Sequence, residues 1–208
     1  MIQYVLWVVS FISLWITLVW LNVLVLEPRP QGKAAGSPPR VTITLPAYNE
    51  GKRLAATVQS LAELNYPREL LQVIIVDDGS RDNTFAEAVR LQKKYKELDI
   101  LPLRHQVNKG KAAAMNTALA QATGDYFACL DAETRAHPDA LKHLIGHVGR
   151  ARVGAVIGQV KVQEFRNAYE YLQRVEYILS NFIRRIWSNM RTLFIAPGGA
   201  FSLFSTAV

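Results

Sequence analysis

The chain has one cysteine, Cys129, in 208 residues. That excludes a disulfide framework, agrees with a reducing compartment, and leaves no zinc-finger spacing to consider. Nothing nearby in the sequence marks Cys129 as a nucleophile, so it reads as a small buried hydrophobe in a strand. Charge is missing altogether from Ile2–Leu26, where Gln3, Ser10, Ser13, Thr17 and Asn22 stand among apolar and aromatic residues. A helix of that length reaches roughly 35 Å, enough to cross a hydrocarbon core of about 30 Å with some tilt. Residues 1–27 are therefore read as a transmembrane helix, with Trp7, Trp15 and Trp20 adding aromatic surface. A basic n-region is lacking, and the apolar run exceeds the ~7–15 residues of a signal-peptide core, which argues against cleavage. Arg29, Lys33 and Arg40 follow the helix, so the positive-inside rule puts the rest of the chain in the cytoplasm, below a cell membrane crossed once. There is no internal repeat, no recognised RNA-binding motif and no sustained basic arm. The net charge of +7 is accordingly assigned to membrane lipid or phosphorylated ligands, and nucleic acid is excluded as a partner.

After a linker at 28–40 rich in Pro, Gly and Ala, strand and helix signals alternate. A strand is expected at 41–45, then a helix from Leu54, Val58 and Leu61 at helical spacing, then the apolar strand at 71–76. Thr84 and Glu87 have capping-box spacing at the start of a helix carrying Phe85 and Val89. A short strand at 100–103, an Ala-rich helix at 112–122 and a strand at Tyr126–Leu130 follow. Pro138 suits the first turn of a helix with Leu141, Leu144, Ile145 and Val148 on one face, and 153–162 is a further strand. Such alternation implies right-handed crossovers, a mainly parallel sheet and one soluble domain.

The polar residues gather where these strands end. Asp77 and Asp78 close the strand at 71–76, followed by Gly79 and Ser80; a bound ligand or plain turn chemistry accounts equally for such a pair. Asp131 and Glu133 are alternate carboxylates at another strand end, able to face one hard cation such as Mg²⁺ or Mn²⁺ with a diphosphate completing its shell, or to be a solvated turn. Asn108-Lys109-Gly110-Lys111 opens the Ala-rich helix that carries Asn116, a place for an anion or simply two solvated lysines. The first strand runs into Pro46-Ala47-Tyr48-Asn49-Glu50, where Tyr48 can stack on a base and Asn49 can cap the next helix.

The blocks LPAYNE at 45–50, VDDGS at 76–80, NKGKAAAMN at 108–116, LDAET at 130–134 and PGGAF at 197–201 stand in the order found in family 2 glycosyltransferases. The sequence resembles that family over most of 41–204. The resemblance implies an α/β GT-A domain over 41–208, with a nucleotide-sugar donor, usually a UDP-sugar, at the strand-end edge. It implies that Pro46, Tyr48 and Glu50 border the nucleoside, that Asp78 bonds the base while Asp77 supports the turn, and that Lys111 lies near the donor. Asp131 and Glu133 occupy the family's Asp-x-Asp motif for Mg²⁺ or Mn²⁺; Glu133 departs from the usual second Asp, its longer chain reaching the metal directly or through water. Gly198, Gly199 and Phe201 fall on the acceptor side.

The resemblance further implies inverting attack by a hydroxyl of a glycan or lipid acceptor, with the metal and Lys111 stabilising the leaving diphosphate. The family's general base follows the PGGAF block, beyond Val208, and the Gln-x-x-Arg-Trp motif of processive synthases is absent. The chain thus looks like the donor-binding half and part of the acceptor site of a longer, truncated enzyme; a non-catalytic nucleotide-sugar-binding or scaffold fragment is the alternative. A nucleotidyltransferase is a poor match, because AYNEGKR stands where a Gly-rich phosphate loop is needed. Finally, 166–191 forms an amphipathic helix, with Ala168, Leu172, Val175, Leu179, Phe182, Ile183 and Ile186 on one face. Arg166, Arg174, Arg184, Arg185 and Arg191 gather on the other, flanked by Tyr169, Tyr177 and Trp187. It lies in a membrane interface or packs on the domain core. With the GGAF segment it looks most like the poly-N-acetylglucosamine, chitin and hyaluronan synthase branch.

Overall fold

An apolar run without alternation, such as Val73 to Val76 in the segment from Leu71, forms a strand covered on both faces. The computed structural model, which describes residues 2–26, 37–148, 153–161, 167–189 and 200–206, buries every residue of that strand. The strands are β1 (Val41–Ala47), β2 (Leu71–Asp77), β3 (Asp99–Arg104), β4 (Tyr126–Leu130), β5 (Ala155–Ile157) and β6 (Phe201–Ser205). They form one sheet in the order β3-β2-β1-β4-β6-β5. The neighbours from β3 to β4 are parallel, and β6 runs antiparallel between β4 and β5.

Alternate residues of the strands feed two cores. Ile43, Leu45, Val73 and Ile75 face α2 (Leu54–Ala62), α3 (Thr84–Lys94) and α5 (Ala140–Val148), meeting Leu54, Val58, Leu61, Leu91, Leu141 and Leu144. Ile74, Val76 and Phe127 meet Ala114 and Ala118 of α4 (Lys111–Leu119) on the other face. Each fully buried Leu or Ile contributes about 1.5–3 kcal/mol by transfer from water. The chain winds outward from β1 through β2 to β3, then returns through α4 to place β4 on the opposite side of β1. That reversal makes the carboxyl ends of β1 and β4 a topological switch point, where open α/β sheets hold ligands.

Register fixes what meets there. Ala47 pairs with Asp77, and Thr44 with Cys129, which by continuation sets Asp131 level with Pro46. The tail of the expected linker is already tied to the sheet, since Tyr66 Oη donates to the Pro39 carbonyl and Arg40 N–H donates to Asp125 Oδ2 at 2.9 Å.

Several local expectations are corrected. Thr84 is not an N-cap but the first residue of α3, behind Asn83. Asp82 takes the capping role, accepting the Thr84 N–H at 3.0 Å, while Glu87 turns to Arg90. Pro138 sits in the turn before α5 rather than in its first turn. The strand expected at 153–162 shrinks to Ala155–Ile157 between Gly154 and Gly158, Val162 itself lying outside the described residues. The segment after the PGGAF glycines is a strand, β6, that the sequence reading did not foresee.

The residues fall into two compact units. The sheet and its helices form one. The other holds α1 (Ile2–Leu26) and α6 (Ala168–Asn189), joined by a tilted contact of the Trp20 and Phe182 rings with centroids 5.2 Å apart. α1 is long and apolar enough to cross a membrane. On α6, Leu172, Val175, Ile178 and Leu179 are exposed, and Arg166 and Arg191 lie outside the described residues.

Candidate active site

Paired ends send the loops after β1 and β2 out side by side, and side chains stitch them together. Asn49 adopts a left-handed backbone, φ 57°, which Asn tolerates better than most residues. Its N–H donates to Ser80 Oγ at 2.9 Å, and its Oδ1 accepts the Arg81 N–H at 2.9 Å. Asn49 therefore brackets two loops and does not cap α2, whose N-cap is Arg53 without a side-chain bond. Glu50 N–H donates to the buried Thr84 Oγ1 at 2.9 Å, and Gly51 N–H to Asp82 Oδ2 at 3.2 Å. Tyr48, between the bracket and the half-buried Pro46, is left 42% exposed.

The two aspartates divide the work at the end of β2. Asp77 is fully buried; its Oδ1 accepts the Ser80 N–H at 3.0 Å, closing the turn. Its Oδ2 lies 3.2 Å from Arg104 Nε, an ion pair rather than an aligned hydrogen bond. Asp78, 4% exposed, faces the segment after β3. Its Oδ1 accepts the Lys109 N–H at 2.9 Å and lies 2.6 Å from His105 Nδ1, and its Oδ2 accepts the Gly110 N–H at 2.7 Å. Burial works to raise the Asp78 pKa, but the two amides and His105 outweigh it and hold the carboxyl below its ordinary value. Gly79 (φ 73°) and Gly110 (φ 88°) supply the positive-φ turns on either side.

Lys111, the first residue of α4, reaches from this segment to Asp131, with Nζ 2.5 Å from Oδ1. Burial would lower the Lys111 pKa, but the bond to Asp131 and its charge prevail and raise it. Glu133 does not meet the same cation. It pairs with Arg53 Nη1 at 2.7 Å, and Arg53 also lies 3.5 Å from Glu50. Cys129 is buried under this edge, its thiol pushed up to about 11 chiefly by burial.

Among the described residues no group of three or more metal-ligating side chains occurs. A pair of carboxylates nevertheless fits Mg²⁺ or Mn²⁺, which take oxygen ligands and draw the remainder from phosphates and water. Asp131 and Glu133 are both solvent-accessible, and the cations now paired with them are more than half exposed, so either can be exchanged for an ion. Of the residues expected here, Pro46 at the end of β1, Lys111 at the start of α4, and Tyr48, Glu50, Asp78, Asp131 and Glu133 on the loops between elements all lie at this sheet edge. Gly198 and Gly199 are outside the described residues. Phe201 starts β6 opposite Leu130 and is buried in the core, while Ala200 O accepts the Asp131 N–H at 3.0 Å. Sequence reasoning missed Arg53 and His105, neither of which belongs to a recognisable spacing.

The model of the family described as Glycosyl transferase family 2 matches residues 42–207. Poly-beta-1,6-N-acetyl-D-glucosamine synthase of Staphylococcus epidermidis is 34% identical over 138 residues, 66% of this chain and 32% of that protein. The synthase of the same name from Staphylococcus aureus strain COL is 33% identical over the same span and shares. The chain thus spans about a third of the length of these curated relatives, 32%. Among solved structures, the mannosyltransferase PcManGT from Pyrobaculum calidifontis in complex with GDP-Man and Mn²⁺ has TM-score 0.71 at 27% identity, over 94% of this chain and 51% of that one. Staphylococcus aureus TarS, at 24% identity, shares the fold with TM-score 0.53 over 62% of this chain and 38% of its own. The sheet order, the strand-end loops and these matches agree: the chain belongs to glycosyl transferase family 2 and has its GT-A fold.

Proposed function

We propose that the chain forms the donor-binding part of an enzyme that moves a sugar from a uridine-diphosphate sugar to a hydroxyl of a growing glycan or a lipid, with inversion at the anomeric carbon. The observation that carries this reading is the convergence of Tyr48, Asp78, Lys111 and Asp131 on the switch point between β1 and β4. Tyr48 offers an exposed ring for the base, and Pro46 and Glu50 flank it. A carboxylate has about four acceptor positions. Asp78 spends three on His105, Lys109 and Gly110, leaving one, which suits the single imide N–H of uracil better than the two adjacent donors of guanine.

Lys111 moves from Asp131 to the diphosphate, where its charge opposes the negative charge that develops as the sugar departs. Asp131, with Glu133, holds the divalent cation. When bound, that ion supplies further charge stabilisation to the leaving diphosphate. Gly198 and Gly199, ahead of β6, border the acceptor. The poly-beta-1,6-N-acetyl-D-glucosamine synthases support a glycan product, and the GDP-Man and Mn²⁺ of the Pyrobaculum calidifontis mannosyltransferase support the class of donor and cofactor.

The same reading anchors the chain at the cell membrane through α1 (residues 1–27 with its flank), followed by a linker to about residue 40 and the catalytic unit on the cytoplasmic side. The apolar stripe Leu172, Val175, Ile178 and Leu179, with Arg174 and Arg184 off it, supports α6 as an interfacial helix on membrane lipid. Calorimetry with UDP and Mn²⁺ tests the donor site. Binding that needs both components and vanishes in Asp131→Ala is the expected result; absence of UDP binding, or an equal affinity for GDP, rejects the reading.

A further inference from the structure

Within 104–111 only His105 is buried, although the stretch is polar and lies on the surface. Its N–H donates to the Asp77 carbonyl at 2.8 Å. Its ring spans two elements, with Nδ1 2.6 Å from Asp78 Oδ1 and Nε2 2.8 Å from Thr117 Oγ1 on α4. A carboxylate only accepts, so Nδ1 carries a proton. Nε2 accepts from the Thr117 hydroxyl when the ring is neutral and donates to it when the ring is protonated; a hydroxyl serves both roles, so the contact survives either state. The backbone from 105 to 110 is thereby wrapped around one carboxylate, which also takes the Lys109 and Gly110 N–H groups. Gly110 then opens α4, and the next side chain is Lys111 on Asp131.

We propose that His105 is a positioning residue of the donor site: by clamping the end of β2 to α4 through Asp78 and Thr117, it sets where Lys111 stands to meet a nucleoside diphosphate. A residue that merely filled this space would need bulk alone. Here both ring nitrogens are committed, one to the carboxylate that anchors the lysine-bearing turn and the other to the helix that begins with Lys111. The consequence for ligand binding rests on the reading of this edge as a nucleotide-diphosphate site, whereas the clamp itself rests on the geometry.

The test uses the full 208-residue chain in detergent, with UDP and Mn²⁺ as the probe and hydrogen exchange read over residues 107–111. His105→Phe keeps a ring and removes both hydrogen bonds. His105→Asn keeps a donor at the reach of Nδ1, and His105→Gln places its amide nearer the reach of Nε2. His105→Phe is expected to weaken UDP binding about tenfold and to speed exchange of the Lys109 and Gly110 amides by a similar factor; Asn restores both to within about threefold and Gln does not. A thermal midpoint equal in the Asn and Gln variants, with UDP affinity split between them, separates positioning from a purely structural role. Unchanged exchange and affinity in His105→Phe overturn the proposal, as does recovery by Gln but not Asn. Should His105→Phe fail to fold, the comparison of Asn with Gln decides alone. If the unaltered chain binds no UDP, the donor-site reading fails, and the exchange rates still decide the clamp, accelerated exchange in the variant supporting it and unchanged exchange refuting it.

Discussion

Lys111 Nζ lies 2.5 Å from Asp131 Oδ1, so the first residue of α4 neutralises the carboxylate that follows β4. The pair is partly exposed, 54% for the lysine side chain and 34% for the aspartate, and such pairs add little to stability. Its consequence lies in ligand exchange, because a divalent cation and a diphosphate compete for its two halves. Lys111→Met is therefore expected to strengthen binding of Mn²⁺ alone, by roughly threefold to tenfold, and to weaken UDP binding in the presence of Mn²⁺ by about tenfold or more. Titrations of Mn²⁺ by electron paramagnetic resonance and of UDP by calorimetry read the two effects separately. Parallel loss of both affinities would mean that the lysine organises the site and does not compete for Asp131.

Asp78 makes stability depend on pH in a known direction. Its folded pKa lies below its ordinary value of 3.8, although burial opposes this, because Lys109, Gly110 and His105 bond the charged form. A depressed carboxyl contributes stability that is full above the unfolded pKa and is lost as pH falls through the folded one. Asp78→Asn turns an amide N–H toward groups that already donate, so at pH 7 it should cost about 2–3 kcal/mol. Asp82 and Glu87 are depressed as well, and the difference between the variant and the parent removes their contribution. Urea melts of both proteins at pH 7 and pH 3 should show the gap narrowing at the lower pH; a constant gap would remove the charged form of Asp78 from the account.

The sheet was legible because its signals are local. The run at 71–76, apolar but for Gln72, reads as a strand covered on both faces, and Leu54, Val58 and Leu61 as one face of a helix; all are buried as that reading requires. Family blocks carried the strand-end residues to one edge. What escaped was set by partners far away in sequence. His105 meets Asp78 across 27 positions because two parallel strands end together, and no spacing rule encodes that. Asn49 had a cap-like position, yet Ser80 and Arg81, 31 and 32 residues on, outbid α2 for it. The Thr84–Glu87 box failed because Asp82 stood two residues before Thr84 and Arg90 three residues after Glu87. β6 was hidden because Phe201, read as part of an acceptor loop, becomes core only when β6 inserts beside β4.

α6 offers a test of the membrane reading. Arg174 and Arg184 are set against a stripe whose members Leu172 and Leu179 are 62% and 54% exposed. Each basic residue near an anionic surface is worth about 1 kcal/mol, and screening limits its reach to roughly 8–10 Å at ordinary ionic strength. Because α1 alone would hold the chain in detergent or lipid, the readout must be local. A Trp at Leu172 should show a blue-shifted emission in nanodiscs containing phosphatidylserine, diminished when Arg174 and Arg184 are both changed to Glu and restored in part by salt, which screens the new repulsion, or by neutral lipid, which removes it. Emission unaffected by lipid charge and by both substitutions would place that stripe away from the membrane surface.

Gly79 and Gly110 share a positive φ but differ in surroundings, and the difference predicts two magnitudes. At Gly110 an added Cβ meets nothing within 4 Å, so Gly110→Ala carries backbone strain alone, about 1–3 kcal/mol for φ 88° and ψ 158°. At Gly79 the same Cβ would stand 2.5 Å from the Val107 carbonyl carbon and 2.6 Å from Asn108 N. Those are backbone atoms of the segment clamped on Asp78, and they cannot swing aside as a side chain would. Gly79→Ala must therefore add displacement of residues 107–108 to its strain, and should cost at least about 1–2 kcal/mol more than Gly110→Ala. It should also loosen the Lys109 and Gly110 amides from Asp78, since moving residue 108 moves both donors. Denaturant melts give the first comparison and amide exchange the second. Equal destabilisation by the two substitutions would show that the turn after β2 and the segment after β3 are less tightly apposed than these distances require.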